Sequence, residues 1–149
     1  MRRHVSLLLL ALLAPVAGAQ AGNTDPLDAG RDLVGKTLSA VAFLPRTVPV
    51  QGPTATGTPS LNTVMFQAYF EPNGKAQVRS WDPSADKYTA IVTETWHGAG
   101  DQLCLTVPAF ALPGELCVAL YTWGPEFGGT GVNHAGMVKG DVQDGSLLH

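Results

Sequence analysis

The sequence predicts a mainly β domain, a small antiparallel meander that closes as a barrel, with a β-sandwich as the alternative closure. Three observations carry this. Charged residues are 14% of the chain against 45% hydrophobic, too few Lys, Glu and Arg for the outer faces of several surface helices. Seventeen glycines and eleven prolines cut the chain into short runs, the spacing of strands joined by turns. Asn73-Gly74 stands between two runs rich in apolar and aromatic residues, a strong short-range hairpin signal.

The first 19 residues stand outside this pattern. Arg2 and Arg3 are followed by an apolar run at 5–16 and by Ala17-Gly18-Ala19. Positive start, apolar centre and small-x-small end make a cleavable signal peptide, with Gln20 opening the mature chain. The competing reading, an uncleaved anchor, needs roughly 20 apolar residues, and the run here is shorter. No cysteine near the cut offers a lipidation point. A periplasmic or secreted protein without stable membrane insertion is expected. The mature chain keeps seven basic residues against twelve acidic ones, a net charge of −5. The basic residues are scattered, so there is no electrostatic footprint for nucleic acid. A mildly acidic surface keeps a small exported protein soluble.

Residues 20–31 are small, polar and acidic, and 32–36 allow one short turn; together they predict a flexible N-terminal arm at 20–34, followed by a single β domain at 35–149. Residues 37–44, with Thr37, Val41 and Phe43, form the first strand. Residues 45–60 carry Pro45, Pro49, Pro53 and Pro59 and read mostly as a long Pro/Thr loop, with Val48 and Val50 adding a brief edge strand. Residues 62–70 and 76–81 form the arms of the Asn-Gly hairpin. In the second arm Ala76, Val78 and Ser80 share one face and Gln77, Arg79 and Trp81 the other. A turn at 82–86 leads to a Thr-rich strand at 88–96, and 97–101 make the next turn. Residues 103–107 and 116–123 pair next. A Gly-rich loop at 124–131 precedes a last strand at 132–138, and a polar tail from Asp141 ends the fold.

Cys104 and Cys117 are the only cysteines. Export to an oxidising compartment makes a disulfide the default, here bridging the hairpin around Pro108, Pro113 and Gly114. The alternatives are a redox pair, usually spaced C-x-x-C, and a two-thiol metal site, which needs further ligands.

Residues 35–147 resemble a group of small exported bacterial proteins of unknown function, the DUF995-like type. The likeness rests on Gly35-Lys36-Thr37, on Tyr69-Phe70-Glu71-Pro72-Asn73-Gly74, on Trp96 with Asp101-Gln102-Leu103-Cys104-Leu105 and Cys117, and on Gly136-Met137-Val138-Lys139-Gly140-Asp141. The resemblance implies a compact lipocalin-like barrel and no catalytic residues. The Pro/Thr stretch at 45–60 and the Gly-rich stretch at 124–131 depart from it.

No catalytic residue and no metal-ligand set is legible, and no cofactor is expected. His97, His134 and His149 are too scattered, even with Met137, for a soft-metal site. None of the serines sits in a nucleophile elbow. Gly128-Gly129-Thr130-Gly131 lacks the helix and Lys of a phosphate cradle. The aromatics either fill the core or line an apolar pocket, for which Trp81, Trp96, Tyr121 and Trp123 are the candidates. Two functions follow. One is a non-enzymatic, monomeric envelope protein binding a small apolar ligand or a protein partner. The other is a small hydrolase or isomerase using Glu94, His97, Asp101 or His134 as its base.

Overall fold

The computed structural model describes residues 25–48, 58–123 and 126–148. The signal segment, the first residues of the predicted arm and Val50 lie outside them. The elements in order are β1 (Asp25–Pro26), α1 (Ala29–Asp32), β2 (Lys36–Val48), β3 (Thr58–Phe70), β4 (Lys75–Asp82), β5 (Lys87–Tyr88), β6 (Val92–Ala99), β7 (Gln102–Leu105), a 3-10 turn (Pro108–Phe110), β8 (Leu116–Trp123), β9 (Glu126–Gly131) and β10 (Met137–Asp144). Eight of these strands, β2, β3, β4, β6, β7, β8, β9 and β10, each pair antiparallel with the next, and β10 returns to β2. The closed up-and-down barrel is therefore the architecture, and closure removes the free sheet edges.

Alternation sets what faces inward. On β4, Ala76, Val78 and Ser80 are buried while Gln77, Arg79 and Trp81 are half-exposed, as the sequence pattern predicts. The turn before β4 takes its positive φ at Gly74 alone (76°). The Asn73 side chain accepts from the Lys75 amide (3.0 Å), an Asx-type closure of the turn. Trp96 points inward, meets Phe70 edge-on at 4.9 Å, and donates its indole N–H to the Glu71 carbonyl (3.0 Å). Phe66 and Phe110 make a second edge contact at 5.3 Å.

Buried apolar side chains pack the centre of the barrel. Leu38, Phe66, Leu103, Leu105, Phe110, Leu116, Val118 and Val138 surround a void of about 10 Å³, about the volume one water probe needs. Phe110, from the β7–β8 connection, closes one end. At the other, α1 packs its buried Ala29 against Gly98, where a Cβ would lie 2.5 Å from the Gly30 nitrogen.

Four expectations are corrected. Residues 25–34 are not a flexible arm: β1 pairs with Thr122 and Tyr121 of β8 beyond the reach of β7, and Leu33 is fully buried. Asp28 caps α1 by accepting from the Arg31 amide, and Asp32 reaches back to the Asp28 amide. Apolar residues in a polar stretch were enough to dock it.

The Pro/Thr loop is shorter than predicted, because β2 runs through Pro45 to Val48 and β3 starts at Thr58, leaving 49–57 outside the described residues. Pro45 and Pro59 are tolerated there because β10 reaches β2 only as far as Phe43, and β4 reaches β3 only from Phe66. Beyond those points the strands form a two-stranded ribbon, where a missing N–H costs little.

The Gly-rich stretch 126–131 is strand β9 rather than a loop, while 132–135 bend and the last strand starts at Met137. Gly128 leaves room for the Tyr121 ring, which a Cβ would approach within 2.7 Å; a neighbouring aromatic covers the glycine instead of its own side chain. The predicted strand at 88–96 is broken. Only Lys87–Tyr88 pairs with the end of β4, and the Thr89 hydroxyl accepts from the Ser80 amide (3.1 Å). The chain rejoins the barrel at Val92 and continues to Ala99, leaving only Gly100 and Asp101 for the turn.

The C-terminal tail also takes part in the fold. After β10 ends at Asp144, the buried Thr37 hydroxyl donates to the Gly145 carbonyl (2.7 Å) and accepts from the Leu147 amide (3.1 Å). Leu148 is buried. Among the described residues no helix is long and apolar enough to cross a membrane.

Candidate functional site: an outer apolar strip and a disulfide cluster

The outward residues of five strands line up by register. One row runs Met65, Val41, Lys139, Gly128, Tyr121; the next runs Thr63, Phe43, Met137, Thr130, Ala119; a third is Leu61 beside Pro45. Apolar side chains predominate in these rows, on the side of a barrel where alternation calls for polar ones. Leu61 is 63% exposed, Met137 52% and Met65 45%.

The strip is concave in two places. At the root of the ribbon, Phe43, Pro45, Leu61, Gly136 and Met137 line an open groove of about 390 Å³. Beside it, Tyr121, Glu126, Phe127, Gly128, Met137, Val138 and Lys139 line a second hollow of about 180 Å³. Lys139 pairs with Glu126 across this hollow at 3.0 Å. Met137 belongs to both, so they form one apolar surface with a charged rim. The groove exists because β10 stops pairing at Phe43 while β2 and β3 continue, which leaves a step at the barrel end.

Of the four aromatics predicted to line a pocket, the three with described side chains, Trp81, Trp96 and Tyr121, lie in different places. Trp96 is a core residue, and Tyr121 lies on the outer strip. Trp81 is half-buried elsewhere, edge-on to Tyr88 at 5.2 Å, with the Arg79 guanidinium 4.5 Å above the Tyr88 ring. Trp123 ends β8, and its side chain lies outside the described residues. The residues that do form the groove were missed because the sequence places Phe43 and Met137 on separate strands, Pro45 in a loop and Leu61 in neither. Only the register shows that Leu61, Phe43 and Met137 are neighbours.

Two polar residues of the hydrolase reading diverge along one strand. Glu94 and His97 lie three residues apart on β6 and therefore project to opposite faces. Asp101 is in the next turn, and His134 is half-buried in the bend at 132–135. Ser39 accepts from the Gln67 amide (3.0 Å), and Gln67 in turn accepts from Arg79 (2.9 Å), a chain that contains no histidine.

Cys104 and Cys117 face each other across β7 and β8 and form the disulfide, with Cα atoms 4.0 Å apart. His97 is the cross-strand neighbour of Cys104, and its Nε2 lies 3.0 Å from Glu115 Oε1. Asn133 ties this corner down: its side chain donates to the Glu115 carbonyl (2.9 Å) and accepts from the Cys117 amide (2.9 Å).

No protein-family model, curated protein or solved structure matches this chain. The site's chemistry therefore rests on its own geometry.

Proposed function

We propose that this chain is an exported, non-enzymatic envelope protein that binds an apolar segment of a partner protein on the outer strip. The observation that carries the reading is the exposed apolar groove on the outer strip. The void enclosed by Leu38, Phe66, Leu103, Leu105, Phe110, Leu116, Val118 and Val138 is only about 10 Å³, too small for a ligand. The outer face instead presents Leu61, Met65 and Met137 together, and a contiguous exposed apolar patch marks an interaction surface. At the ribbon root β2 and β3 run on past the end of β10, a step that suits an extended partner segment, which adds main-chain hydrogen bonds to apolar contacts. Export is supported by the charged-apolar-small pattern of residues 2–19 and by the cross-strand disulfide, a bond that persists in oxidising compartments.

The test is site-specific photo-crosslinking in expressing cells, with the photoreactive residue at position 61, 65 or 137 and a control at the exposed Asp86 turn. A defined partner protein crosslinked from the strip and not from position 86 is expected. Leu61→Asp with Met137→Asp should abolish it. A crosslink to lipid, to a small molecule or to a second copy of the chain would replace the partner-protein reading. Equal crosslinking from position 86 would remove it.

A further inference from the structure

We infer that the disulfide corner is a latent metal site: once Cys104 and Cys117 are reduced, they bind one borderline-soft divalent cation of the zinc class together with His97 and Glu115. Two thiols alone are too few for such a site, and the two missing ligands are invisible in sequence. The fold supplies them. His97 arrives from β6 as the register neighbour of Cys104, and Glu115 from the end of the β7–β8 connection.

The distances fit. The donor atoms of His97, Cys104 and Glu115 all lie within 4.8 Å of one another. His97 Nε2 is 3.0 Å and Cys117 Sγ 3.9 Å from Glu115 Oε1. Metal–ligand bonds of roughly 2.0–2.3 Å in a tetrahedron hold donors roughly 3.3–3.8 Å apart. Small side-chain rotations of exposed His97 and Glu115 cover the difference, and the freed sulfurs separate by rotation about their own side chains. Asn133 holds the Glu115 and Cys117 backbone from behind, the outer-shell support that metal ligands need. Cys104 and Cys117 are buried, while the His97 side chain beside them is 62% exposed, which leaves an entry path for the ion.

The chemistry balances. An external dithiol gives two electrons and two protons to the disulfide and leaves as its own disulfide. Binding of the divalent cation then releases two protons as the thiols become thiolates. Disulfide and metal exclude each other, so the corner responds both to redox state and to metal supply. The inference uses none of the strip residues and stands apart from the proposed docking function.

Cobalt(II) titration of the purified mature chain tests it, with a phosphine reductant that does not itself chelate the ion. The reduced chain should bind one cobalt with a thiolate-to-metal charge-transfer band and strong tetrahedral visible bands, and zinc should displace it. The oxidised chain should show neither. His97→Ala and Glu115→Gln should each weaken binding at least about tenfold, since even outer-shell partners carry effects of that size. Both residues are partly exposed, so these variants keep the fold. Equal affinity in wild type and both variants, or equal binding by the oxidised chain, would overturn the site. If reduction alone unfolds the barrel, metal must restore the near-ultraviolet circular dichroism of the buried Trp96; binding without that recovery would also overturn it.

Discussion

The wall from β3 to β8 and the seam where β9, β10 and β2 close the barrel solve the same packing problem with different residues. The wall is built of sequential hairpins, with inward side chains such as Val78, Trp96, Leu103 and Val118 alternating with outward ones. The Cys104–Cys117 bridge closes one of its hairpins. The seam joins strands from opposite ends of the chain, Lys36–Val48 and Met137–Asp144, and is built around glycines. At Gly140 a Cβ would come within 2.7 Å of the Ala40 Cα, so β10 sits closer to β2 than side chains would allow. The difference teaches that a strand can be specified by what it carries or by what its neighbours put over it. The first kind weakens when a side chain is removed, the second when one is added.

That contrast sets the largest expected effect. Gly140→Val should cost about 3 kcal/mol or more, because the seam backbone must move apart to admit it, whereas Val78→Ala on the wall should cost about 2 kcal/mol through a cavity. Chemical denaturation of the two variants checks the order, and a milder Gly140→Val would mean that the seam is looser than the wall. Next, replacing both cysteines by Ala should remove about 3 kcal/mol, the contribution of a short cross-linked loop, read as a lower denaturation midpoint with the barrel still formed. If the midpoint does not move, the stapled hairpin is stable without its bridge.

Thr37→Val removes the hydroxyl that holds Gly145 and Leu147 and should cost about 1–2 kcal/mol. Amide exchange at 145–148 should speed up more than exchange on the wall. Uniform acceleration would show that the tail stabilises the whole barrel rather than covering the seam.

The smallest effect concerns α1. The hydrogen bond from Arg31 Nε (2.6 Å) and its positive charge hold the Asp32 carboxyl below its ordinary pKa. A depressed folded value means the stabilisation is present above the ordinary carboxylate pKa and fades as pH falls through the folded one. Arg31→Ala should raise the Asp32 titration midpoint in a carboxyl-detected NMR experiment and leave global stability nearly unchanged, because the pair is exposed. A midpoint that stays put would assign the depression to the Asp28 amide contact instead.

Legibility followed the same division. Ala76, Val78 and Ser80 announce their face by alternation, Asn73-Gly74 announces its turn, and the two cysteines announce their bridge. Glu126–Gly131 does not announce a strand, because three of its six residues are glycines, and the space over Gly128 and Gly129 belongs to Tyr121, Leu120 and Val118 on the neighbouring strand. Pro45 and Pro59 likewise read as loop, since their tolerance depends on where β10 and β4 stop pairing. Both candidate sites share this property. Leu61, Phe43 and Met137 come together only through the β2–β3 and β10–β2 registers. His97 and Glu115 meet the cysteines only through β6–β7 pairing and the end of the β7–β8 connection.

By itself, then, the sequence determined the β class, the hairpin at Asn73-Gly74, the inward face of β4 and the disulfide pair, because each is written in residues adjacent or alternating along the chain. The docking of residues 25–34, the closure of β10 on β2 and the exposed groove were decided by tertiary structure alone. Each depends on which strand lies beside which and how far they run together, and that follows from the whole barrel closing around one core.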